Sequence, residues 1–226
     1  MSTIINKNKI KCAIFDLDGT LLNTIYTINY YLNLALARNG LGEIDKEKCV
    51  TFVGDGAVKL IQRALNFLGA NTPEMFDKVF ADYNTLYDAA PDYLTEIYEG
   101  IQAMLDTLKE QGIALGVLSN KPDYATKATV EKFFPGSFTI VCGSKQGVPL
   151  KPAPDALYSI ISELGFTPAE VAYVGDSQQD VRTAGNANVA LGISVDWGFR
   201  ARSQLADAGA KLIVSTPAGV TNAILN

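Results

Sequence analysis

The sequence predicts an α/β fold: an open, mainly parallel sheet with helices on both faces, and a small all-helical domain inserted after the first strand. Two observations lead to this prediction. From about Tyr98 onward, short apolar runs alternate with segments of helical periodicity, which is the pattern of parallel strands joined by right-handed helical crossovers. Between residues 23 and 96, helical periodicity dominates and strand signals are scarce.

The individual elements follow from local patterns. The first strand is predicted at residues 9–15, where an apolar run precedes a turn at Asp18-Gly19. In the inserted part, helical segments stop at Gly40 and at Gly69, and Thr72-Pro73 begins another helix. Later strands are predicted at the sequences IALGVL, FTIVC, VAYVG, VALGI and KLIV, with helices between them. Residues 1–22 and 97–226 are therefore expected to form a discontinuous core, and residues 23–96 a helical domain.

Composition and charge narrow the class of protein. The 226 residues are 48% apolar and 19% charged, an ordinary globular balance with enough chain for a sizeable core. No apolar run approaches the ~20 residues of a membrane-spanning helix, and the first residues lack the pattern of a signal peptide. A cytoplasmic protein without a membrane partner is therefore expected. The net charge of -5 argues against nucleic-acid binding but leaves phosphate substrates open.

The absence of histidine excludes several kinds of catalytic site. A Ser-His-Asp triad, a Cys-His pair and a histidine-ligated zinc ion are all ruled out within this chain. Acid–base chemistry therefore falls to carboxylates, lysine, tyrosine or a metal-bound water. Cys12, Cys49 and Cys142 are far apart and odd in number, so they predict neither a disulfide framework nor a zinc site and indicate a reducing compartment.

Polar side chains cluster where the predicted strands end. Three segments have this placement: Asp16–Thr20, Ser119–Lys121, and Gly175–Ser177 with Asp180 one helical turn further on. Lys151, in the proline-rich run Lys151–Pro154, is a fourth candidate, although its strand is less clearly defined. In an open parallel sheet, ligands bind at the carboxyl ends of the strands. These segments are therefore expected to meet in one site.

The acidic members of this set predict a metal ion. They are Asp16, Asp18, Asp176 and Asp180. Carboxylates crowded at one end of a sheet raise one another's pKa, and a hard divalent cation relieves the repulsion. Mg²⁺ suits oxygen-only ligands, commonly keeps some waters, and also contacts substrate phosphate. A lysine and backbone N–H groups near a helix start suit a phosphoryl group. The combination predicts phosphoryl transfer through a carboxylate nucleophile.

These motifs resemble those of the haloacid dehalogenase-like (HAD) superfamily of phosphotransferases, which implies a Rossmann-like sheet. The family's motifs are matched in order by Asp16–Thr20, by Ser119, by Lys151, and by Gly175–Ser177 with Asp180. The resemblance covers nearly the whole chain. The inserted helices are similar to the cap domain that one subfamily carries between its first two motifs. Phe52–Gly56, Arg63–Leu65 and Trp197–Phe199 resemble the phosphoglycolate phosphatase group.

The resemblance implies a role for each motif residue. Asp16 would attack phosphorus and become an aspartyl phosphate, and Asp18 would protonate the leaving oxygen and then activate water. The residues implied to hold Mg²⁺ are Asp16, Asp18 through its backbone carbonyl, Asp176, and Asp180 directly or through water. Those implied to hold the phosphoryl oxygens are Ser119, the N–H of Asn120, and Lys151. Substrate contacts from the cap are expected at Gly54, Asp55, Gly56 and Lys59.

The implied activity is hydrolysis of a small phosphorylated metabolite, with 2-phosphoglycolate the best single guess. Inorganic pyrophosphatase, sugar phosphatase and β-phosphoglucomutase share the same core residues and stay open. A phospho-aspartate signalling module also places acidic residues and a lysine at sheet ends, but the inserted helices and the position of Asp18 argue against it. The sequence selects neither the substrate nor the assembly, which is expected to be a monomer or a small homo-oligomer.

Overall fold

The computed structural model describes residues 10–226 of the chain. Its main sheet consists of the strands β1 Cys12–Phe15, β4 Ala114–Pro122, β5 Ile140–Ser144, β6 Val171–Gly175, β7 Leu191–Val195 and β8 Ile213–Val214. Two short strands, β2 Leu22–Asn23 and β3 Glu96–Ile97, pair antiparallel. The helices are α1 Ile25–Arg38, α2 Lys46–Val50, α3 Gly56–Phe67, α4 Pro73–Ala89, α5 Ile101–Glu110, α6 Asp123–Phe133, α7 Asp155–Glu163, α8 Gln178–Asn186, α9 Arg202–Asp207 and α10 Pro217–Leu225. Over the same residues, no helix combines the length and apolar character needed to span a membrane.

The order of the strands determines where the polar segments lie. In the main sheet the order is β5-β4-β1-β6-β7-β8, with every neighbouring pair parallel. Phe15 at the end of β1 lies opposite Val117 of β4 and Val174 of β6. Asp16 and Asp176 directly follow β1 and β6. The segment Ser119–Lys121 was predicted to follow a strand ending at Leu118, but it lies within the carboxyl-terminal part of β4. All three segments are therefore at the same edge of the sheet.

Helices cover both faces of the sheet because its central strand is apolar on both sides. Ala13 and Phe15 pack in the layer that contains α5 and α10, whereas Cys12 and Ile14 pack in the layer that contains α7. All four side chains are fully buried. A strand of this kind is stable only between two helical layers, and the structure confirms the predicted α/β sheet.

The inserted helices α1 to α4 have an apolar core of their own. Leu32, Ile61, Leu65 and Val79 are fully buried within it. The chain leaves the sheet through β2 and returns through β3, and the predicted domain limits fall inside this two-stranded ribbon. We call residues 23–96 the cap and the remaining described residues the core.

The boundaries of several strands differ from the predicted ones. The sequence VAYVG matches β6, whereas β5 and β7 each begin two residues later than FTIVC and VALGI. Phe138 and Val189, which precede these strands, pack against the two apolar layers and therefore resemble strand residues in sequence. The first strand was predicted from residue 9, which lies outside the described residues, and β1 begins at Cys12.

Candidate active site

Asp16 directly follows β1 and lies at the centre of the site. Its Oδ1 accepts the backbone N–H of Leu17 at 2.7 Å and lies 2.8 Å from the ammonium of Lys151. The side chain is 11% exposed and lines a cavity between core and cap. Both contacts that the described residues make with this carboxylate fall on Oδ1. The second oxygen, Oδ2, is therefore available for attack on a ligand.

Lys151 lies between two carboxylates and is almost fully buried. Its Nζ is 2.8 Å from Asp16 Oδ1 and 2.8 Å from Asp180 Oδ1. Burial disfavours the ammonium form, but the charges of Asp16 and Asp180 outweigh burial and hold the pKa of Lys151 well above its usual value. The lysine therefore stays charged and suits a phosphoryl oxygen.

Asn120 holds the backbone of Lys151 in place. Its Oδ1 accepts the Lys151 N–H at 2.9 Å, and its Nδ2 donates to the carbonyls of Lys151 at 3.3 Å and of Gly54 at 3.1 Å. The sequence predicted a role for the Asn120 N–H alone, so these side-chain contacts are an addition. Next to it, Ser119 Oγ accepts the backbone N–H of Lys121 at 3.2 Å. The hydroxyl hydrogen of Ser119 is left to donate to a ligand.

Asp180 uses both carboxylate oxygens within the protein. Oδ1 accepts hydrogen bonds from Lys151 at 2.8 Å and from the Tyr173 hydroxyl at 3.0 Å. Oδ2 accepts the N–H of Ser177 at 3.1 Å and its hydroxyl at 2.5 Å. These bonds fill the acceptor positions of a carboxylate. Of the two alternatives left open by the sequence, metal ligation directly or through water, the geometry disfavours the direct one. It favours instead a residue that positions Lys151.

Asp176 is fixed by two donors and approached closely by glycine. Its Oδ1 accepts the Thr20 hydroxyl at 3.1 Å, and its Oδ2 accepts the N–H of Phe199 at 2.7 Å. Gly19 has a φ of +86°, and a Cβ there would lie 2.4 Å from Asp176 Oδ2, so both the turn and the close approach require glycine. Burial raises the pKa of Asp176 to about 7, and the charge of Asp180 adds to the effect.

Three of the predicted metal ligands form a buried acidic cluster. Asp16, Asp176 and Asp180 each offer an oxygen within 4.8 Å of the others. Burial raises the pKa of Asp16 well above its usual value; Lys151 opposes this shift, and the charges of Asp180 and Asp176 reinforce it. Buried carboxylates that repel one another are suited to a hard divalent cation with oxygen ligands. Asp16 and Asp176, whose oxygens keep acceptor positions free, therefore fit Mg²⁺. Asp180 adds negative charge to the cluster.

Asp18 lies beside a second buried lysine, Lys121. Asp18 Oδ1 is buried, accepts no hydrogen bond from the described residues, and lies 3.5 Å from the Lys121 ammonium. Lys121 donates instead to the hydroxyl of Tyr87 in α4 at 2.7 Å. The sequence analysis gave neither residue a role. Lys121 was predicted only as a member of the polar segment Ser119–Lys121, and Tyr87 only as one of the residues on one face of a helix.

The cap loop contributes its glycines to the site. A cavity of about 110 Å³ between cap and core is lined by Gly54 and Gly56, but not by the side chains of Asp55 and Lys59. Asp55 accepts hydrogen bonds from Arg63 at 2.5 Å and from Gln179 at 2.6 Å. Lys59 is exposed. Among the cap residues predicted to contact substrate, the structure thus brings the two glycines to the cavity and leaves the two charged side chains outside it.

Arg200 joins the core to the cap. Its Nη1 donates to Val50 O and its Nη2 to Val53 O, both at 2.6 Å. The neighbouring Phe199 packs against the apolar core of the cap, and its N–H binds Asp176. The segment Phe199-Arg200 therefore connects the acidic cluster with the cap. The sequence singled out Trp197–Phe199 as a resemblance only, and Arg200 was missed.

Comparison with known proteins identifies the family. The sequence pattern of the haloacid dehalogenase-like hydrolases matches residues 13–193. A phosphoglycolate phosphatase of Haemophilus influenzae is 31% identical over 191 residues, which is 82% of this chain and 85% of the relative. One from Rhodospirillum rubrum is 32% identical over 206 residues, 88% of this chain and 85% of the relative. The crystal structure of a predicted phosphoglycolate phosphatase from Lactobacillus delbrueckii superposes with a TM-score of 0.92 at 33% identity and covers 96% of this chain and 99% of that one.

The α/β core, the inserted cap and the carboxylate–lysine site together define a hydrolase that works on phosphate esters. The chain belongs to the haloacid dehalogenase-like hydrolases. Within that family it is a phosphatase, a phosphoric monoester hydrolase, and it is similar in sequence and fold to phosphoglycolate phosphatases. The family resemblance seen in the sequence is confirmed.

Proposed function

We propose that this chain is a Mg²⁺-dependent phosphatase of a small phosphorylated metabolite, with 2-phosphoglycolate the best candidate. The observation that carries the proposal is the buried contact between Asp16 and Lys151, 2.8 Å apart, at the edge of the cavity. The cavity lies next to Asp16 and Lys151 and gives a leaving group a place between core and cap. The names of the curated relatives, at 31% and 32% identity, support the substrate.

Asp16 is the proposed nucleophile. Its Oδ2 attacks phosphorus, and a new O–P bond forms while the bond from phosphorus to the leaving oxygen breaks, which gives an aspartyl phosphate. The hydroxyl of Ser119 and the ammonium of Lys151 bind the phosphoryl oxygens and stabilise the charge that spreads over them.

Asp18 is the proposed general acid and base. Its carboxyl group gives a proton to the leaving oxygen in the first step. In the second step the carboxylate takes a proton from the water that attacks phosphorus. The O–P bond to Asp16 then breaks, so inorganic phosphate is released and both aspartates return to their starting states. The buried Oδ1, which accepts no hydrogen bond from residues 10–226, supports this role.

Asp16, Asp176 and the backbone carbonyl of Asp18 are proposed to hold Mg²⁺. When bound, the ion neutralises charge on the phosphoryl group and on the carboxylates around it. Thr20 and the N–H of Phe199 orient Asp176 for this purpose. Asp180 is proposed to act on the site by positioning Lys151, because all of its acceptor positions are filled by protein donors.

The alternatives are distinguished by a panel of substrates assayed with Mg²⁺. Pyrophosphate, a sugar phosphate and β-glucose 1-phosphate represent the pyrophosphatase, sugar phosphatase and mutase activities. We expect the highest kcat/KM for 2-phosphoglycolate and loss of turnover in EDTA. A higher kcat/KM for another member would reassign the substrate. Uptake of one phosphoryl group per chain without further turnover would identify a phospho-aspartate signalling module.

The proposed setting is the cytoplasm, with the phosphorylated metabolite as partner and a monomer or a small homo-oligomer as the assembly. The three cysteines are free, and two of them are buried. Free thiols are typical of a reducing compartment. Sedimentation of the purified chain measures the assembly directly.

A further inference from the structure

Lys121 is a second buried lysine in the site, and its surroundings differ from those of Lys151. The Lys121 side chain is 6% exposed and lines the cavity. Lys151 lies 2.8 Å from each of two carboxylates, whereas Lys121 lies 3.5 Å from the carboxylate oxygen of Asp18. A buried charge is costly unless it is closely paired and hydrogen-bonded. The ammonium of Lys121 is therefore incompletely compensated by the protein.

The hydrogen bonds of Lys121 lead to the same conclusion. An ammonium group has three hydrogens to donate. Within the part of the chain that the structure describes, Lys121 Nζ donates one hydrogen bond, to the Tyr87 hydroxyl at 2.7 Å. Burial and the charge of Asp18 hold the pKa of Tyr87 well above its usual value, so this partner is a neutral hydroxyl. Two hydrogens of the ammonium group are therefore left for a ligand in the cavity.

We propose that Lys121, oriented by Tyr87, binds the carboxylate of a short anionic leaving group, so that the enzyme selects phosphorylated 2-hydroxy acids over neutral phosphomonoesters. This inference rests on the proposed function, because it concerns the part of the substrate that is not transferred. Ser119 and Lys151 are the residues proposed to bind the transferred phosphoryl group, which is the same in every phosphomonoester. Discrimination among leaving groups therefore needs a separate contact, and Lys121 supplies it.

The position of Lys121 matches the length of such a leaving group. The proposed proton donor to the leaving oxygen is Asp18, so that oxygen lies against the Asp18 carboxyl group. In a phosphorylated 2-hydroxy acid, the carboxylate carbon is two bonds from the leaving oxygen. Lys121 Nζ lies 3.5 Å from Asp18 Oδ1. The ammonium is thus within reach of a carboxylate at that separation, and a charge-assisted hydrogen bond would join them.

The other walls of the cavity support a short anion. Val53, Ala57 and Leu60 of the cap line the cavity, whose volume is about 110 Å³. These apolar side chains offer no hydrogen bonds to the hydroxyl groups of a sugar. Asp88 also lines the cavity, but it is exposed and accepts a hydrogen bond from the Tyr124 hydroxyl at 2.7 Å. Solvent therefore screens its charge more effectively than that of the buried Lys121.

A pair of matched ligands tests the subsite without relying on turnover. 3-Phosphonopropionate has a methylene group in place of the leaving oxygen of 2-phosphoglycolate and keeps the carboxylate. Propylphosphonate has a methyl group in place of that carboxylate. Calorimetry in Mg²⁺ should show that the parent binds 3-phosphonopropionate about 10- to 100-fold more tightly than propylphosphonate. This ratio corresponds to the typical contribution of a hydrogen bond to a charged group. Equal affinities in the parent would overturn the proposal, whatever any variant does.

Variants assign the preference to Lys121. Lys121→Met removes the charge at similar length and should abolish most of the preference between the two phosphonates. Lys121→Arg should retain part of it. Lys145→Met, at a lysine that is 52% exposed, is the control and should keep the full preference. A full preference in a folded Lys121→Met variant would refute the assignment.

Hydrolysis of p-nitrophenyl phosphate separates this inference from the proposed function. If the parent hydrolyses it but binds both phosphonates equally, the subsite is wrong and the phosphatase function stands. If the parent prefers 3-phosphonopropionate but shows no Mg²⁺-dependent hydrolysis of any phosphomonoester, the anion subsite stands and the proposed function fails.

Discussion

Replacing Lys151 by methionine would leave two buried carboxylates facing each other without a cation. Lys151 Nζ lies 2.8 Å from both Asp16 and Asp180, and the three side chains are 3%, 11% and 2% exposed. Removing one partner of a buried ionic group typically costs about 3–5 kcal/mol of unfolding free energy, because the remaining charge is uncompensated. We expect Lys151→Met to lose this amount at pH 7.5 in metal-free protein.

The loss should depend on pH with a defined sign. Without Lys151, the folded-state pKa of Asp16, which burial already holds above its usual value, rises further above the unfolded value of about 3.9. A group with a raised folded-state pKa contributes stability that is present below the unfolded pKa and lost as pH rises through the folded pKa. The difference in unfolding free energy between parent and Lys151→Met should therefore be small near pH 4 and grow as pH rises to 7.5.

Urea unfolding in EDTA at several pH values measures this difference. Asp180→Asn and the double variant Lys151→Met/Asp180→Asn complete a cycle that isolates the pairing between the two side chains. We expect the double variant to regain part of the stability lost in Lys151→Met, since one uncompensated charge is gone. A loss below about 1 kcal/mol, the worth of an exposed ion pair, that is also the same at every pH would refute the buried-pair account.

Three further predictions concern the metal, the cap and the acidic cluster. Turnover should stop in EDTA and return with Mg²⁺, and Ca²⁺ should inhibit because its larger and looser coordination shell misplaces the nucleophile; activity in excess EDTA would contradict the metal site. Arg200→Gln removes the charged donors to Val50 O and Val53 O and should lower kcat/KM by about 10-fold or more, whereas Arg202→Gln, at a side chain that is 59% exposed, should not. Equal steady-state kinetics for the two variants would count against Arg200 as the link between cap and core. The pKa of Asp176 is raised from 3.8 to about 7, so the metal-free protein loses stability as pH rises through that range. Asp176→Asn lacks this ionisation and should therefore gain stability relative to the parent from pH 4 to pH 7. Thermal melting in EDTA measures this gain. If the difference in melting temperature between variant and parent does not change with pH, ionisation of Asp176 does not cause the loss of stability.

The fold and the core of the site could be predicted because strong local patterns coincide with simple topology. β1 and β6 are short, mainly apolar strands that are each followed directly by an aspartate, and parallel register brings Asp16 and Asp176 to the same edge. Ser119 reaches the same edge from within the carboxyl-terminal part of β4. No knowledge of side-chain orientation was needed for this step, since the ends of neighbouring parallel strands lie together whatever their side chains do.

The contacts between cap and core could not be predicted in this way. Lys121 meets Tyr87 across 34 positions of sequence, and Arg200 meets the carbonyl of Val53 across 147. Such pairs arise from the packing of the cap against the core, and this packing leaves no periodic pattern in the sequence. The same cause explains Asp55, whose carboxylate binds Gln179 of the core and not the cavity. The two-residue strands β2 and β3 are too short for any alternation pattern.

The central claim is that Asp16 becomes phosphorylated and that Asp18 is needed to release the phosphate. p-Nitrophenolate leaves without needing a proton, so Asp18→Asn should still complete the first step with this substrate and then stall. Rapid mixing should show a burst of about one equivalent of p-nitrophenolate per active site, followed by turnover reduced about 10²–10⁴-fold. Asp16→Asn should show no burst and a turnover at least ~10³-fold below the parent, because the nucleophile and a metal ligand are lost together. A burst of p-nitrophenolate from Asp16→Asn, or a turnover of this variant within about tenfold of the parent, would contradict the account.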